Sequence, residues 1–378
     1  MDILYFDNAA TTKVKDEVLN EMIPFFLDKY GNASSAYSIG RDNKKAIEEA
    51  RKKVAELIGA KPREIYFTSS GSESDNTALK GYAYANRKKG NHIITSKIEH
   101  PAILESCKTL EKQGFRITYL NVDNEGMVDL QELRKSITKQ TILISIMFAN
   151  NEIGTIEPVE EISKIAKANN IAFHTDSVQA VGNVEIDVNK MKIDMLSLSG
   201  HKFYGPKGIG ALYVKEGIDF LRFIDGGHQE RNKRAGTENV PAIVGLGKAA
   251  ELAKENLNEH IKHLQELRNY FIEEIENNIF AVKLNGSREN RLPGNSNISF
   301  RGIDGNAILY DLDLKGICIS TGSACSSGSD LPSHVLKSIG LDDDWINGTI
   351  RVTFSEDNTK DDIDYLVKSI KQCIEKVK

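Results

Sequence analysis

Cysteine is scarce: the 378 residues include Cys107, Cys318, Cys325 and Cys373, and no two stand in CxxC spacing. That argues against a disulfide framework and against a structural zinc site. No stretch approaches the roughly 18 apolar residues of a membrane span. The longest apolar run, 141–149, has the length of a strand. The first ten residues carry two Asp and show neither a basic segment nor an apolar one, so the expectation is no export signal, no membrane and a reducing cytoplasm. Basic residues are not in excess either. Lys plus Arg number 49 against 54 Asp plus Glu, a net charge of −5 with no long basic stripe, so no nucleic-acid partner is expected. Internal repeats, low-complexity tracts and Gly/Ser linkers are also missing.

What remains is the composition of a folded globular chain, 40% hydrophobic and 27% charged. Its length suits two or three domains and a core that needs no staples. From 64 to 214, short β-branched runs alternate with amphipathic helical stretches. The strand candidates are 64–68, 92–97, 116–122, 141–149, 171–174, 195–199 and 210–214, with helices such as 159–169 between them. Alternation of this kind predicts an α/β fold with a mainly parallel sheet of seven strands, binding its ligand at the strands' carboxyl ends. A charge-rich helix over 241–277 then bridges to shorter strands (281–284, 297–300, 317–320, 349–354) and a final amphipathic helix from 360. The expected division is a large domain over 16–256 and a smaller α+β domain formed by 1–15 with 257–378.

Three segments carry chemistry. Residues 67–76 (FTSSGSESDN) lie between a strand and a helix, where small residues and free N–H groups favour an anion; Ser72 is the expected helix cap. By itself this segment reads equally as an ordinary capped loop. Residues 199–208 (SGHKFYGPKG) follow an apolar strand and place Lys202 at its end, flanked by Ser199 and His201. Most lysines are solvated surface charges. The glycines that follow lack GxGxxG order and lead into a strand, which excludes a dinucleotide loop. Residues 173–179 (FHTDSVQ) put Asp176 at another strand end, where a helix cap is the plain alternative. Taken together, a strand-end acid, a strand-end lysine and an upstream phosphate loop describe pyridoxal phosphate, which needs an amine to attach to, a partner for its ring nitrogen and a cradle for its phosphate.

With these segments in view, the chain resembles the NifS/IscS-type cysteine desulfurases, in the class V aminotransferase group of fold type I pyridoxal-phosphate enzymes. The likeness runs from Asp7-Asn8-Ala9-Ala10-Thr11-Thr12 to the final helix, and residues 320–328 (STGSACSSG) resemble the loop of the family's nucleophilic cysteine. The resemblance implies that Lys202 carries the cofactor, that Gly71, Ser72, Ser199 and His201 meet its phosphate, and that His100 stacks on its ring and shuttles protons. It further assigns Asn151 and Gln179 to the phenolic oxygen, Asp176 to the ring nitrogen, and Thr237 to the phosphate of a neighbouring subunit. Arg351 and Asn8 fall on substrate-binding positions, and Cys325 on the residue that receives sulfur. No resident metal is implied, although Cys325 could ligate an iron–sulfur cluster in transit. The other three cysteines read as structural.

The reading is a cytoplasmic homodimeric enzyme that converts L-cysteine to L-alanine. It transfers the sulfur to Cys325, in a mobile loop, as a persulfide destined for an acceptor or an iron–sulfur scaffold protein. A selenocysteine lyase or another class V enzyme would reuse Lys202 and Asp176, but an aminotransferase has no use for Cys325. An inactive sulfur-carrier paralogue fits poorly with the joint presence of Lys202, Asp176, His100 and Arg351. Departures from the family pattern occur at residues 69–72, where Ser-Ser-Gly-Ser includes Ser70 in place of the usual Gly, and at Ala33 and Tyr37, which stand where Pro and His are usual. The chain ends at Lys378 without the tail of IscS-like members, which leans the reading towards the NifS-like side.

Overall fold

The computed structural model describes residues 3–321 and 332–377. Among the described residues twelve strands are formed: β1 (Leu4–Tyr5), β2 (Ile65–Thr68), β3 (His92–Ser96), β4 (Arg116–Leu120), β5 (Thr141–Ser145), β6 (Ala172–Asp176), β7 (Met195–Ser199), β8 (Gly210–Val214), β9 (Val282–Leu284), β10 (Asn295–Phe300), β11 (Ile317–Cys318) and β12 (Thr349–Thr353). Strands β2 to β8 make one seven-stranded sheet in the order β2-β8-β7-β6-β5-β3-β4. The pairs β3–β4, β3–β5, β5–β6 and β6–β7 are parallel, while β8 runs antiparallel to both neighbours, β7 and β2. The mainly parallel sheet expected from the alternating pattern is therefore present.

Side-chain alternation along the strands explains how this sheet is covered on both faces. Ile94, Ile144, Phe173 and Leu196 face one side, packing with Val54 and Ile162 of helices Ser38–Leu57 and Val159–Ala168 and with Ile58, which caps the first of them. Their strand neighbours Ile93, Leu143, Ala172 and Met195 face the other, with Leu79, Ile103 and Leu110. The long apolar run 141–149 ends as a strand at Ser145, because beyond it the chain turns to meet the site: Met147 N–H donates to Glu99 Oε1 at 3.0 Å.

A second core is built elsewhere, from Phe6, Phe271, Phe300, Val352, Phe354 and Ile370 among others. Helix Val240–Asn278, 39 residues and so about 58 Å long, serves both cores. Its first turns (Ile243, Leu246, Ala250) pack under the large sheet, and its later ones (Leu264, Phe271, Ile275) under the antiparallel sheet β12-β10-β9. The N-terminal strand β1 pairs in parallel with β11, at the far end of the sequence. This pairing and the bridge from Asp7 to Thr353 bring residues 7–12 to the edge of the large sheet.

One buried ion pair ties the loop after β8 to this frame. Arg51 of helix Ser38–Leu57 donates to Glu230 through both terminal nitrogens, at 2.7 and 2.8 Å, and Glu230 Oε2 also accepts from Phe67 N–H at 2.9 Å. Glu230, Arg231 and Asn232 all take left-handed backbone angles (φ 44°, 56° and 66°), which L residues adopt at a cost and hold only where the surroundings impose them. Glu230→Ala leaves the buried Arg51 guanidinium without its two-pronged partner and with only the exposed Glu48, at 3.2 Å from Nε, as counter-charge. It should cost about 3–5 kcal/mol in urea unfolding, and Arg51→Met in the same chain should recover much of that loss.

Candidate active site

Because β2, β3, β6 and β7 run in one direction, their carboxyl ends open on one edge of the sheet, where open α/β sheets bind ligands. Each end delivers one of the residues singled out in the sequence. β2 leads through Ser69 and Ser70 into helix Gly71–Asn76, and β3 leads to His100 at the cap of helix Pro101–Lys112. β6 ends on Asp176, and β7 ends on Ser199, from which the turn Gly200–Lys202 carries Lys202.

The helix after β2 is capped differently from the expectation. Ser70, not Ser72, has its hydroxyl accepting from Glu73 N–H, at 3.2 Å, and stands in extended backbone. Ser72 lies inside the first turn, so its side chain cannot curl back to the N–H groups ahead of it and is exposed instead. The N–H groups of Gly71 and Ser72, with no partner inside the helix, remain as the anion cradle. Gly71 is required for closeness: a Cβ there would sit 2.5 Å from Val178 Cγ2, on the segment that follows Asp176.

Asp176 is buried and receives a hydrogen bond from Val178 N–H at 3.0 Å. Burial raises its pKa, against the opposing pull of His100, the Val178 N–H and Lys202. A carboxylate removed from water beside so few donors suits a cationic ring nitrogen. His100 accepts from Ala102 N–H through Nδ1 at 3.1 Å, so it does cap its helix. Its ring also reaches the acidic cluster: one ring nitrogen and a carboxylate oxygen each of Asp75 and Asp176 lie within 4.8 Å of one another.

Lys202 is held by the N-terminal turn, donating to the carbonyls of Ala9 and, at 2.9 Å, Ala10. Gln179 Nε2 donates to the same Ala9 carbonyl at 3.0 Å. Thr12 N–H donates to His201 O at 2.9 Å, and the His201 ring meets Thr11 Oγ1 at 3.2 Å. Burial, followed by the charges of Lys202 and Lys207, lowers the His201 pKa to about 4, so its ring is neutral at physiological pH. Asn8 Nδ2 donates to Thr353 O at 2.8 Å. Asn8, Gln179, Lys202 and Thr353 line one cleft.

Arg351, fully buried on β12, donates from Nη2 to Asp7 Oδ1 at 2.8 Å and from Nη1 to Asn151 O at 2.9 Å; its Nε has no partner among the described residues. Asn151 thereby joins the site through its backbone. Thr237 is exposed, in the loop before the long helix, with no hydrogen bond to this cluster among the described residues. The same loop is nonetheless tied to the cradle, since Arg234 Nε donates to Glu73 Oε1 at 2.9 Å. Cys325 lies outside the described residues. Ala33 is buried, and Tyr37 is an exposed residue at the start of helix Ser38–Leu57.

Two residues now prominent carried no role in the sequence reading. Asp7, in the quoted N-terminal motif, occupies Arg351. Asp75 precedes the fully buried Leu79 by one helical turn, and an acid on that apolar face was a readable signal. As for the cofactor, the amine, the under-donated strand-end carboxylate, the His100 ring beside it and the glycine cradle together fit pyridoxal phosphate.

Comparison with known proteins shows the family. The sequence profile of the family described as Aminotransferase class-V matches residues 4–366. The chain is 55% identical over 373 residues to the cysteine desulfurase IscS of Clostridium botulinum, covering 98% of this chain and 94% of that protein. To the cysteine desulfurase IscS of Methanosarcina thermophila it is 53% identical over 375 residues, covering 99% and 93%. Among solved structures, a NifS-like protein superposes with a TM-score of 0.93 at 40% identity over 99% of both chains. A structure described as SspA in complex with cysteine gives 0.80 at 38% identity, over 93% of this chain and 99% of the other.

The Gly71–Val178 contact can be tested directly. Gly71→Ala should destabilise the protein by about 1–3 kcal/mol through overpacking and weaken cofactor uptake. Adding Val178→Ala, which removes the clashing methyl group, should restore most of both in thermal unfolding and equilibrium dialysis.

Proposed function

The chain belongs to the class-V aminotransferase family, and from that premise we propose that it is a cysteine desulfurase with its reacting groups arranged as follows. The fold is that of the fold type I enzymes, and the family depends on pyridoxal phosphate. When bound, this cofactor supplies the electron sink that stabilises negative charge at an amino acid's Cα. The observation that carries the reading is the convergence of Lys202, Asp176, His100 and the Gly71–Ser72 cradle on one sheet edge, in a chain 55% identical to a named cysteine desulfurase.

Each residue then has a physical task. Asp176, buried and ionised, holds the proton on the ring nitrogen. Lys202, freed from its attachment, moves the proton at Cα of L-cysteine, and His100 moves a second proton beside the ring. Arg351 takes the substrate carboxylate on its planar fork, with Asn8 beside it; Asp7 stands there as the carboxylate to be displaced. The Cys325 thiolate attacks the substrate sulfur. The Cβ–S bond breaks, the sulfur remains on Cys325 Sγ as a persulfide, and the carbon skeleton takes up a proton and leaves as L-alanine.

Residues 16–256 form the cofactor-binding domain in this reading, with 1–15 and 257–378 as the small domain. Thr237 completes the phosphate site of a second copy, so the working form is a homodimer. The persulfide passes to an acceptor or iron–sulfur scaffold protein in the cytoplasm. No helix among the described residues is long and apolar enough to cross a membrane.

Incubation with L-cysteine and a reductant should yield alanine and sulfide in equal amounts. Borohydride treatment of the loaded enzyme should label the Lys202 peptide, and Lys202→Ala should lose that label. Cys325→Ser should still bind L-cysteine, judged by its absorbance change, yet release sulfide about a hundredfold more slowly or worse, since the nucleophile is gone. Sulfide release at the native rate from Cys325→Ser would refute the persulfide route and favour a lyase that needs no thiol.

A further inference from the structure

Behind Asp176 runs a buried hydrogen-bond chain that the reaction above does not use. Ser145 on β5, His174 on β6 and Ser197 on β7 are neighbours across the sheet. Ser145 Oγ lies 2.9 Å from His174 Nδ1, and His174 Nε2 lies 3.0 Å from Ser197 Oγ. All three are fully buried. Burial lowers the His174 pKa to about 3, so the ring is neutral, an acceptor at one nitrogen and a donor at the other. The Ser197 hydroxyl stands beside the carboxyl of Asp75, in helix Gly71–Asn76, and favours its ionised form.

Asp75 is the unusual member. It is 1% exposed, and its Oδ1 has no hydrogen-bond partner among the described residues. His174 Nε2 is 3.8 Å away, beyond hydrogen-bond length. A carboxylate oxygen of Asp176 stands within 4.8 Å. Two carboxylates this close, both out of water, do not ionise together. The surrounding charges decide which of them keeps the proton. His100 and Lys202 act on Asp176 and favour its anion. His100 also lies within 4.8 Å of Asp75 and Ser197 favours the Asp75 anion, but burial first, then the charges of Asp176 and Glu99, outweigh them and favour its neutral form.

We propose that Asp75 is a positioning residue for Asp176: a neutral carboxyl that offers its O–H to the Asp176 carboxylate and leaves Asp176 the single anion of the pair. Ser145, His174 and Ser197 anchor Asp75 on its other side, so the orientation of the acid that meets the cofactor is set by a chain spanning three strands. The inference rests on the cofactor site as read above.

The test compares Asp75→Asn, which keeps shape and a donor, with Asp75→Leu, which keeps only size. Cofactor affinity of Asp75→Asn should stay within about threefold of native, while Asp75→Leu should weaken it about tenfold or more, the effect of one lost hydrogen bond to a charged group. The pH midpoint of the bound cofactor's absorbance should likewise move in Asp75→Leu and stay put in Asp75→Asn. Equal weakening in both variants would mean that Asp75 acts as an anion, and no change in either would mean that it does not act on Asp176; each overturns the proposal.

A second arm uses cofactor-free protein, and it decides the matter even where Asp75→Leu fails to fold. A carboxyl whose folded pKa is raised stabilises the fold at low pH and loses that contribution as pH rises. Thermal stability of native protein should therefore fall relative to Asp75→Asn as pH rises above about 4, where the unfolded carboxyl gives up its proton and the folded one does not. A gap that is constant, or that moves the other way, would show that Asp75 is not protonated in the folded protein. Failure of native protein to take up the cofactor would count against the reading of the site, and this second arm would still judge Asp75.

Discussion

The large sheet imposes the constraint on which the site depends. Strands β2, β3, β5, β6 and β7 run together, so the chain leaves each of them at the same edge, and every residue placed just beyond a strand end lands near the others. Residues far apart in sequence, such as Gly71, His100, Asp176 and Lys202, become neighbours for that reason alone. The same arrangement buries both faces of the strands, and so each polar side chain in their middles must find a partner there. Ser145, His174 and Ser197 do so with one another, and the line they form leads towards Asp75 and Asp176.

The second constraint is the path of the N-terminal segment. Residues 7–12 are pinned on one side by Thr353 and on the other by the turn that carries Lys202. Their carbonyls receive the Lys202 ammonium, and Asp7 receives Arg351. The lysine and the arginine, which in the proposed reaction meet an electrophilic and an anionic partner, are thus held by groups that can be exchanged. A buried guanidinium without a counter-charge would be costly, and Asp7 supplies that charge. Helix Val240–Asn278 makes the arrangement rigid, because one continuous element packs beneath both the cofactor-side sheet and the sheet that bears Arg351.

Much of this was legible in the linear sequence, and for physical reasons. Short apolar runs alternating with 3.6-period segments imply crossover connections and hence parallel strands, which is why the seven strands of the large sheet could be placed to within a few residues. A lysine and an aspartate directly after such runs are conspicuous, since side chains at strand ends are aimed by the sheet and not by a loop. The glycine and serine cradle was equally visible. Which serine caps the helix was not, because the choice between Ser70 and Ser72 turns on the backbone angle of a single residue, and composition is silent on that.

Sequence by itself therefore determined the α/β architecture and the cofactor class, because each follows from local periodicity or from motifs whose residues are adjacent in the chain. Tertiary structure alone decided the partnerships. Asp7 with Arg351, Glu230 with Arg51, Lys202 with the carbonyls of Ala9 and Ala10, and Asp75 with Asp176 join residues 101 to 344 positions apart or on different elements. No spacing rule connects them; they meet because the sheet order and the return of the N-terminus bring them to one edge, and because charge buried there must find opposite charge or a hydrogen bond.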